Sequence, residues 1–375
     1  MRRHLRMLGI FGATSLTALA MISTAQAQVA KQLSGQGGTS AVSAATATPM
    51  LPTLNAAPRE ALADAKMTLA SPGKMRIVQG NAGPKVAMEA GAADDGTSIG
   101  TMNYGLNNLN TFYHYSDYLV SSKLRNDAPH RYTGWFVFTY PGGAQFRCTA
   151  SLISKSIAVT AGHCVHQGGG GSSRFITSGT YYPAYRDGPS TTFGSASANY
   201  VVTTGGWANT GALDQGYDVG IVVLNKRAGT SQEIGTNTGW FGFCASNCLQ
   251  NYWSLSQLGY PGNYYAGTKL TQGEHIERSD SRDYVYGSGM QGGSSGGPHV
   301  ANIGALVDSS SSLGQWPYRN IVFGVTSWGY VDERLKIQGA SSLSGPGNAN
   351  NFTAMYNLAC TRARALHGAA SCSLL

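Results

Sequence analysis

The sequence predicts an all-β domain, arranged as barrels or a sandwich and closed by one C-terminal helix. Three observations carry this reading. Fifty of the 375 residues are Gly, which marks many turns and short strands rather than long helices. Short apolar runs recur along the second half, each flanked by Gly, Asn or Pro, as strands joined by tight turns are. Apolar residues at helical spacing stand out only near the end.

The N-terminus has a different character. Arg2, Arg3 and Arg6 precede an apolar stretch from Met7 to Ile22, followed by Ala25-Gln26-Ala27. A basic end, a short apolar centre and small residues at the cut form a secretory signal, so residues 1–27 are expected to be removed and the protein to be secreted or periplasmic. Gly9, Gly12, Thr14, Ser15 and Thr17 weaken the alternative of a membrane anchor. From Gln28 to Asn103 there is no Phe, Tyr or Trp, whereas 36 of the 37 aromatics lie from Tyr104 onward. Such a stretch cannot offset the entropy of folding alone. Residues 28–110 are therefore expected to be a propeptide or disordered segment, with one short helix around Pro58 to Leu69. The folded domain is expected at 111–375.

Within that domain, Gly134 to Tyr140 reads as a strand, Pro141-Gly142-Gly143 as a turn, and Gln145 to Ile153 as the returning strand. Ile157 to Thr160, Asp218 to Leu224, Trp253 to Gly259, His299 to Leu306 and Ile321 to Trp328 continue the series. Phe352, Met355, Leu358 and Ala359 share one helical face, with Asn350 or Asn351 as the cap.

Composition excludes several classes. Only 12% of residues are charged, against about 25% in an average domain. Loss of residues 1–27 removes three positive charges and no negative one, so the net charge falls from +8 to +5. Lys and Arg are scattered rather than striped, which argues against nucleic acid as a partner. No long apolar run follows the first thirty residues, so no multi-spanning membrane protein is expected. Six Cys suit disulfides in an exported chain.

Three segments carry chemistry. Thr160-Ala161-Gly162-His163-Cys164 follows an apolar strand, Tyr217-Asp218 heads another, and Gly292-Gly293-Ser294-Ser295-Gly296-Gly297-Pro298 is a Gly-rich loop. His163, Asp218 and Ser295 stand 55 and 77 residues apart. A serine hydroxyl needs a base to take its proton as it attacks, and His, with an ordinary pKa near 6.5, can accept and return it. A carboxylate behind His fixes the ring tautomer. The amides of Gly293 and Ser295 are then free to form an oxyanion hole.

Together these segments resemble the chymotrypsin-like serine peptidases over about Arg131 to Leu366. The nucleophile loop, the Tyr-Asp pair and Gly259-Tyr260-Pro261-Gly262 are most similar to the bacterial glutamyl endopeptidase branch. The resemblance implies two packed six-stranded antiparallel β-barrels with the site between them, a C-terminal helix, secretion as a zymogen and no cofactor. It makes His163, Asp218 and Ser295 catalytic, and Ser327-Trp328-Gly329 the segment that pairs with the substrate backbone. It pairs Cys148 with Cys164; nearest-neighbour pairing adds Cys244–Cys248 and Cys360–Cys372. The pocket floor, where animal trypsin-like enzymes carry an acid, is Gly289. Thr326 stands where glutamyl-specific members place a His. A buried floor without a carboxylate cannot compensate a desolvated Lys or Arg. The expected activity is therefore endopeptidase cleavage of proteins or peptides after medium to large neutral residues, by a monomer, with Glu as the alternative.

Competing roles are weaker. Ser294 is a second hydroxyl, but the Ser-Gly-Gly-Pro register selects Ser295. Asp214 sits in a Gly-flanked loop and reads as solvated, and His166 as a surface or loop His. No metal is expected, because His166 and Cys164 lack a second Cys/His cluster nearby. His299 reads as a packed strand residue. Gly293-Ser294-Ser295-Gly296-Gly297 also fits the esterase elbow, with Asp332 and His367 completing the order, but no strand–helix alternation precedes it. A non-catalytic barrel-fold binding protein would be expected to lack one of the triad residues.

Overall fold

The computed structural model describes residues 29–33, 76–84, 103–107, 110–213, 216–246, 254–280, 283–304, 319–330, 336–343 and 351–375. The signal, the helix expected at Pro58 to Leu69, Asp214, Cys248 and Asp332 lie outside them. The early strands are β1 (Val29–Gln32), β2 (Arg76–Val78), β3 (Asn103–Asn107) and β4 (Asn110–Leu119). Then come β5 (Thr133–Thr139), β6 (Gln145–Leu152), β7 (Ile157–Thr160), β8 (Ser178–Pro183), β9 (Ala196–Thr203) and β10 (Gly220–Leu224). After them follow β11 (Gly242–Ser246), β12 (Ser254–Gly259), β13 (Thr271–Ile276), β14 (Arg278–Asp280) and β15 (Asp283–Gly287). The last are β16 (Pro298–Ala301), β17 (Ile321–Gly329) and β18 (Ile337–Ser342), ahead of the helix Asn351–His367.

Strands β5, β6, β7, β10, β9 and β8 pair antiparallel in that order, and β8 returns to β5, closing a six-stranded barrel. The second barrel runs β13-β12-β16-β17-β18-β15, again antiparallel. The hairpin β3–β4 extends it along β13, and β14 along β15. Apolar side chains explain the closure of the first barrel: β7 (Ile-Ala-Val-Thr) and β10 (Gly-Ile-Val-Val-Leu) are buried at every position, as central strands with two covered faces must be. Trp135, Val137, Val202 and Ile221 from this barrel share one core with Leu258, Val300 and Val325 from the second.

The C-terminal helix lies where its pattern predicts. Phe352, Met355, Tyr356, Ala359, Cys360 and Ala363 are buried, with the Phe352 and Tyr356 rings 5.5 and 4.9 Å from that of Phe243. Disulfides join Cys148 to Cys164 and Cys360 to Cys372; Cys244 is also disulfide-bonded.

Three pieces of the segment expected to lack structure are strands, β1, β2 and β3, the last paired with β4. β1 pairs with β9, and β2 with β11, whose other neighbour is β17. Poor in large apolar side chains, the segment has little to fold on alone, but these pieces borrow the main-chain edge of a formed sheet. Arg131 fastens the second piece: its guanidinium donates to Ala82 O and Pro84 O, each at 2.7 Å, and to Thr238 O at 2.7 Å. The expected boundary at 110/111 falls at the start of β4, which pairs with β13 of the second barrel. Among the described residues, no helix is long and apolar enough to cross a membrane.

Candidate active site

The two barrels each deliver part of one polar cluster. β7 ends in the turn Gly162–Cys164, which carries His163, and Asp218 lies just before β10. Both side chains are buried. Asp218 Oδ2 accepts from His163 Nδ1 at 2.7 Å, and Oδ1 accepts the His163 backbone N–H at 2.7 Å. Ser327 of β17, in the second barrel, donates its hydroxyl to Asp218 Oδ2 at 2.6 Å. One carboxylate thus fixes the ring's position and tautomer and ties the barrels together. Gly162 permits this approach: a Cβ there would lie 2.8 Å from Thr203 Oγ1 and 3.0 Å from Asp218 Oδ1.

Ser295 is 3% exposed and sits on the loop before β16. Its carbonyl accepts from Thr149 N at 2.8 Å, and Thr149 Oγ1 donates to Gly293 O at 2.8 Å. Thr149 belongs to β6, so the first barrel clamps the loop of the second. Gly296 N donates to Thr326 O, and Thr326 N to Gly297 O. Among the described residues the amides of Gly293 and Ser295 donate to no carbonyl, which leaves both available as an oxyanion hole. Ser294, the competing hydroxyl, donates to Gln291 O at 2.7 Å within its own loop.

The other sequence candidates separate clearly. His166 is in the loop, as expected, but fully buried rather than at the surface. Its Nδ1 accepts from Gly168 N and its Nε2 donates to Gly171 O, and burial lowers its pKa. The Gly run after it needs an internal acceptor and donor, which the sequence does not reveal. Trp207 donates to His166 O and lies 6.2 Å from the His163 ring. His367 Nε2 contacts Leu224 O at 2.8 Å, so that nitrogen is engaged by the backbone of β10 rather than poised as an esterase base. Thr326 is fully buried, and its hydroxyl meets Gln257 Nε2 at 2.7 Å and His299 Nε2 at 3.0 Å. His299 is a packed strand residue, as expected. Trp328 Nε1 donates to Asp283 Oδ2 at 2.8 Å.

One acid was missed. The sequence places no carboxylate at Gly289, yet Asp117 of β4 accepts the Gly289 N–H at 2.8 Å and the Tyr264 hydroxyl at 3.2 Å, both on Oδ2. No local motif signals it, because the contact spans 172 residues. Burial pushes the Asp117 pKa up to about 7, against the lowering effect of the Gly289 N–H, Tyr264 and Lys336. The folded state therefore binds this proton more tightly than the unfolded chain, and stability falls as pH rises from about 4 to about 7. The loss is about 4 kcal/mol, the free energy of three pKa units. Asp117→Asn keeps the acceptor for Gly289 without the buried charge. Thermal unfolding is expected to show the variant gaining on the parent from pH 4 to pH 8; a constant difference would refute the raised pKa.

With this geometry in place, comparison with known proteins is direct. The family model described as Trypsin matches residues 124–341, more than half of the chain. A glutamyl endopeptidase of Bacillus licheniformis is 26% identical over 216 residues, covering 56% of this chain and 65% of the relative. An extracellular metalloprotease of Bacillus subtilis is 29% identical over 176 residues, covering 46% of this chain and 52% of the relative. The matches thus span between half and two thirds of those relatives' length. Among solved structures, the protease Anisep from Arthrobacter nicotinovorans is 26% identical with a TM-score of 0.46, covering 56% of this chain and 90% of that one. A Glu endopeptidase is 22% identical with a TM-score of 0.47, covering 65% and 95%. From the family match and the two-barrel architecture, the chain belongs to the trypsin family of serine peptidases.

Proposed function

We propose that the chain is a secreted serine endopeptidase, exported by residues 1–27 and matured by loss of a propeptide, that acts as a monomer on proteins or peptides. Ser295 attacks the scissile carbonyl while His163 takes its proton, and Asp218 holds the imidazole with Nδ1–H toward the carboxylate. The amides of Gly293 and Ser295 stabilise the oxyanion, each such donor being worth about 3 kcal/mol in the transition state. His163 then returns the proton to the leaving amine, and water hydrolyses the acyl-enzyme by the same steps. The observation that carries this reading is the Asp218 carboxylate, bonded at once to His163 N, His163 Nδ1 and Ser327 Oγ.

The name of the Bacillus subtilis relative raises metal-dependent hydrolysis. A catalytic zinc keeps an open position for water and substrate. Cys148 and Cys164, beside His163, are joined in a disulfide. The other described donor group, His275, Glu277 and His299, is fully buried. Neither supports a catalytic metal.

Cleavage after medium to large neutral residues remains the proposed specificity, with Gly289, Thr326, Ser327, Trp328 and Gly329 lining the pocket. In its ionised form Asp117 against Gly289 disfavours Glu, since a second carboxylate there would be repelled. It also favours a second reading, cleavage after Lys or Arg. Matched peptides differing only before the scissile bond decide between them. Neutral residues are expected to give the highest kcat/KM. A preference above tenfold for Arg or Lys that disappears in Asp117→Asn would move specificity to that carboxylate.

A further inference from the structure

Behind the strand that carries Ser327 lies a second set of titratable side chains that peptide hydrolysis does not use. His275 on β13, Glu277 just after that strand and His299 on β16 are each fully buried. His275 Nε2, Glu277 Oε1 and His299 Nδ1 converge within 4.8 Å of one another. His275 Nε2 is 3.3 Å from Glu277 Oε1, and His299 Nδ1 contacts the same oxygen. Glu277 Oε2 and His275 Nδ1 have no partner among the described residues. The only described ion-pair partners of Glu277 are the two imidazoles.

Hydrogen bonds alone account poorly for this arrangement. Two ring donors satisfying one carboxylate would spread over both oxygens, whereas here both crowd Oε1 and leave Oε2 bare. A buried polar atom without a partner costs about 1–3 kcal/mol, and a buried carboxylate without a full counter-charge costs more. A divalent cation among the three converging lone pairs supplies the missing counter-charge.

We propose that His275, Glu277 and His299 form a buried structural site for a divalent transition-metal ion of the zinc class. Two imidazole nitrogens and a carboxylate are a donor set that zinc accepts. The outer contacts fit as well. With the ion on His299 Nδ1, its Nε2–H donates to Thr326 Oγ1, 3.0 Å away, the kind of second hydrogen bond that orients a ligating imidazole. Gln257 Nε2 and Tyr286 OH complete the shell around Thr326. The ion would brace β13 against β16 and, through Thr326, hold β17 one residue before Ser327. A search for neighbouring Cys and His along the chain misses this set, because two separate segments assemble it and one ligand is a Glu.

The test uses the full chain carrying Ser295→Ala, which prevents self-digestion. The protein is dialysed against EDTA, equilibrated with zinc chloride, desalted and analysed for metal. About one zinc per chain is expected, with Tm at least about 5 °C above that of the stripped protein. Cobalt chloride in place of zinc is expected to give the intense visible bands of a low-coordinate site. Glu277→Gln and His275→Gln are expected to lower retention at least tenfold, while His163→Ala keeps the ion. Retention below about 0.1 zinc per chain with no shift in Tm overturns the site, and so does zinc lost in His163→Ala. If the Glu277 and His275 variants do not fold, zinc content and the cobalt spectrum of the parent still decide.

Discussion

Asp218→Asn is expected to lower kcat by about 10⁴-fold while leaving the barrels folded. The geometry dictates which way the amide must turn. Oδ1 accepts the His163 backbone N–H, so the carbamoyl oxygen keeps that place and the NH₂ takes the Oδ2 position. It then donates to His163 Nδ1, 2.7 Å away, and forces the ring proton onto Nε2. An Nε2–H imidazole cannot accept the Ser295 proton, and wrong-tautomer losses in serine peptidases have this size. Ser327 loses an acceptor for its hydroxyl, a smaller change. Steady-state kinetics, together with circular dichroism and covalent labelling of Ser295 by a sulfonyl fluoride, check the prediction. A loss below tenfold would remove Asp218 from the mechanism.

Gly296→Ala is expected to abolish folding of the active domain, a loss above about 4 kcal/mol. Gly296 has φ +77°, where an L side chain is strained. Its missing Cβ would lie 2.0 Å from Thr160 Oγ1, 2.4 Å from Thr149 O and 2.8 Å from Ala161 N. Two of these atoms are backbone, and the third is held by its bond to Thr149 O, so none can yield cheaply. Gly188→Ala is the control, because a Cβ there meets nothing within 4 Å. Denaturant unfolding of both variants measures the contrast, and near-parental stability for Gly296→Ala would refute the tight seating of the nucleophile loop.

Much of this was legible because it is local. Runs such as Ile157 to Thr160 and Ile321 to Trp328 announce their own strands through apolar, β-branched residues. The motifs around His163, Asp218 and Ser295 carry chemistry within a few residues. β13, which reads Thr-Gln-Gly-Glu-His-Ile, has no such run and is fixed by its neighbours in the sheet, and β9, Ala-Ser-Ala-Asn-Tyr-Val-Val-Thr, carries its β-forming residues only in its second half. The run expected from His299 to Leu306 stops at Ala301, and Asn302 turns the chain with φ +52°. Contacts between distant segments were the least visible. Thr149 at the nucleophile loop, Asp117 at Gly289 and the three buried ligands behind Thr326 have no common spacing, because only the closed barrels bring them together.

The pairing of β1 with β9 and of β2 with β11 bears on what any maturing cut would do. While the chain is continuous, these strands are supplied by tethering, and their binding does not depend on protein concentration. Severed from the domain, each becomes a ligand in its own right, free to dissociate on dilution and to be replaced. Departure of Val29–Gln32 would uncover the edge of β9 from Tyr200 to Thr203, and an uncovered edge recruits whatever extended chain is at hand. Maturation would thus create one vacancy beside β9 and another beside β11, which an excised leader, a neighbouring molecule or a substrate tail could compete to fill.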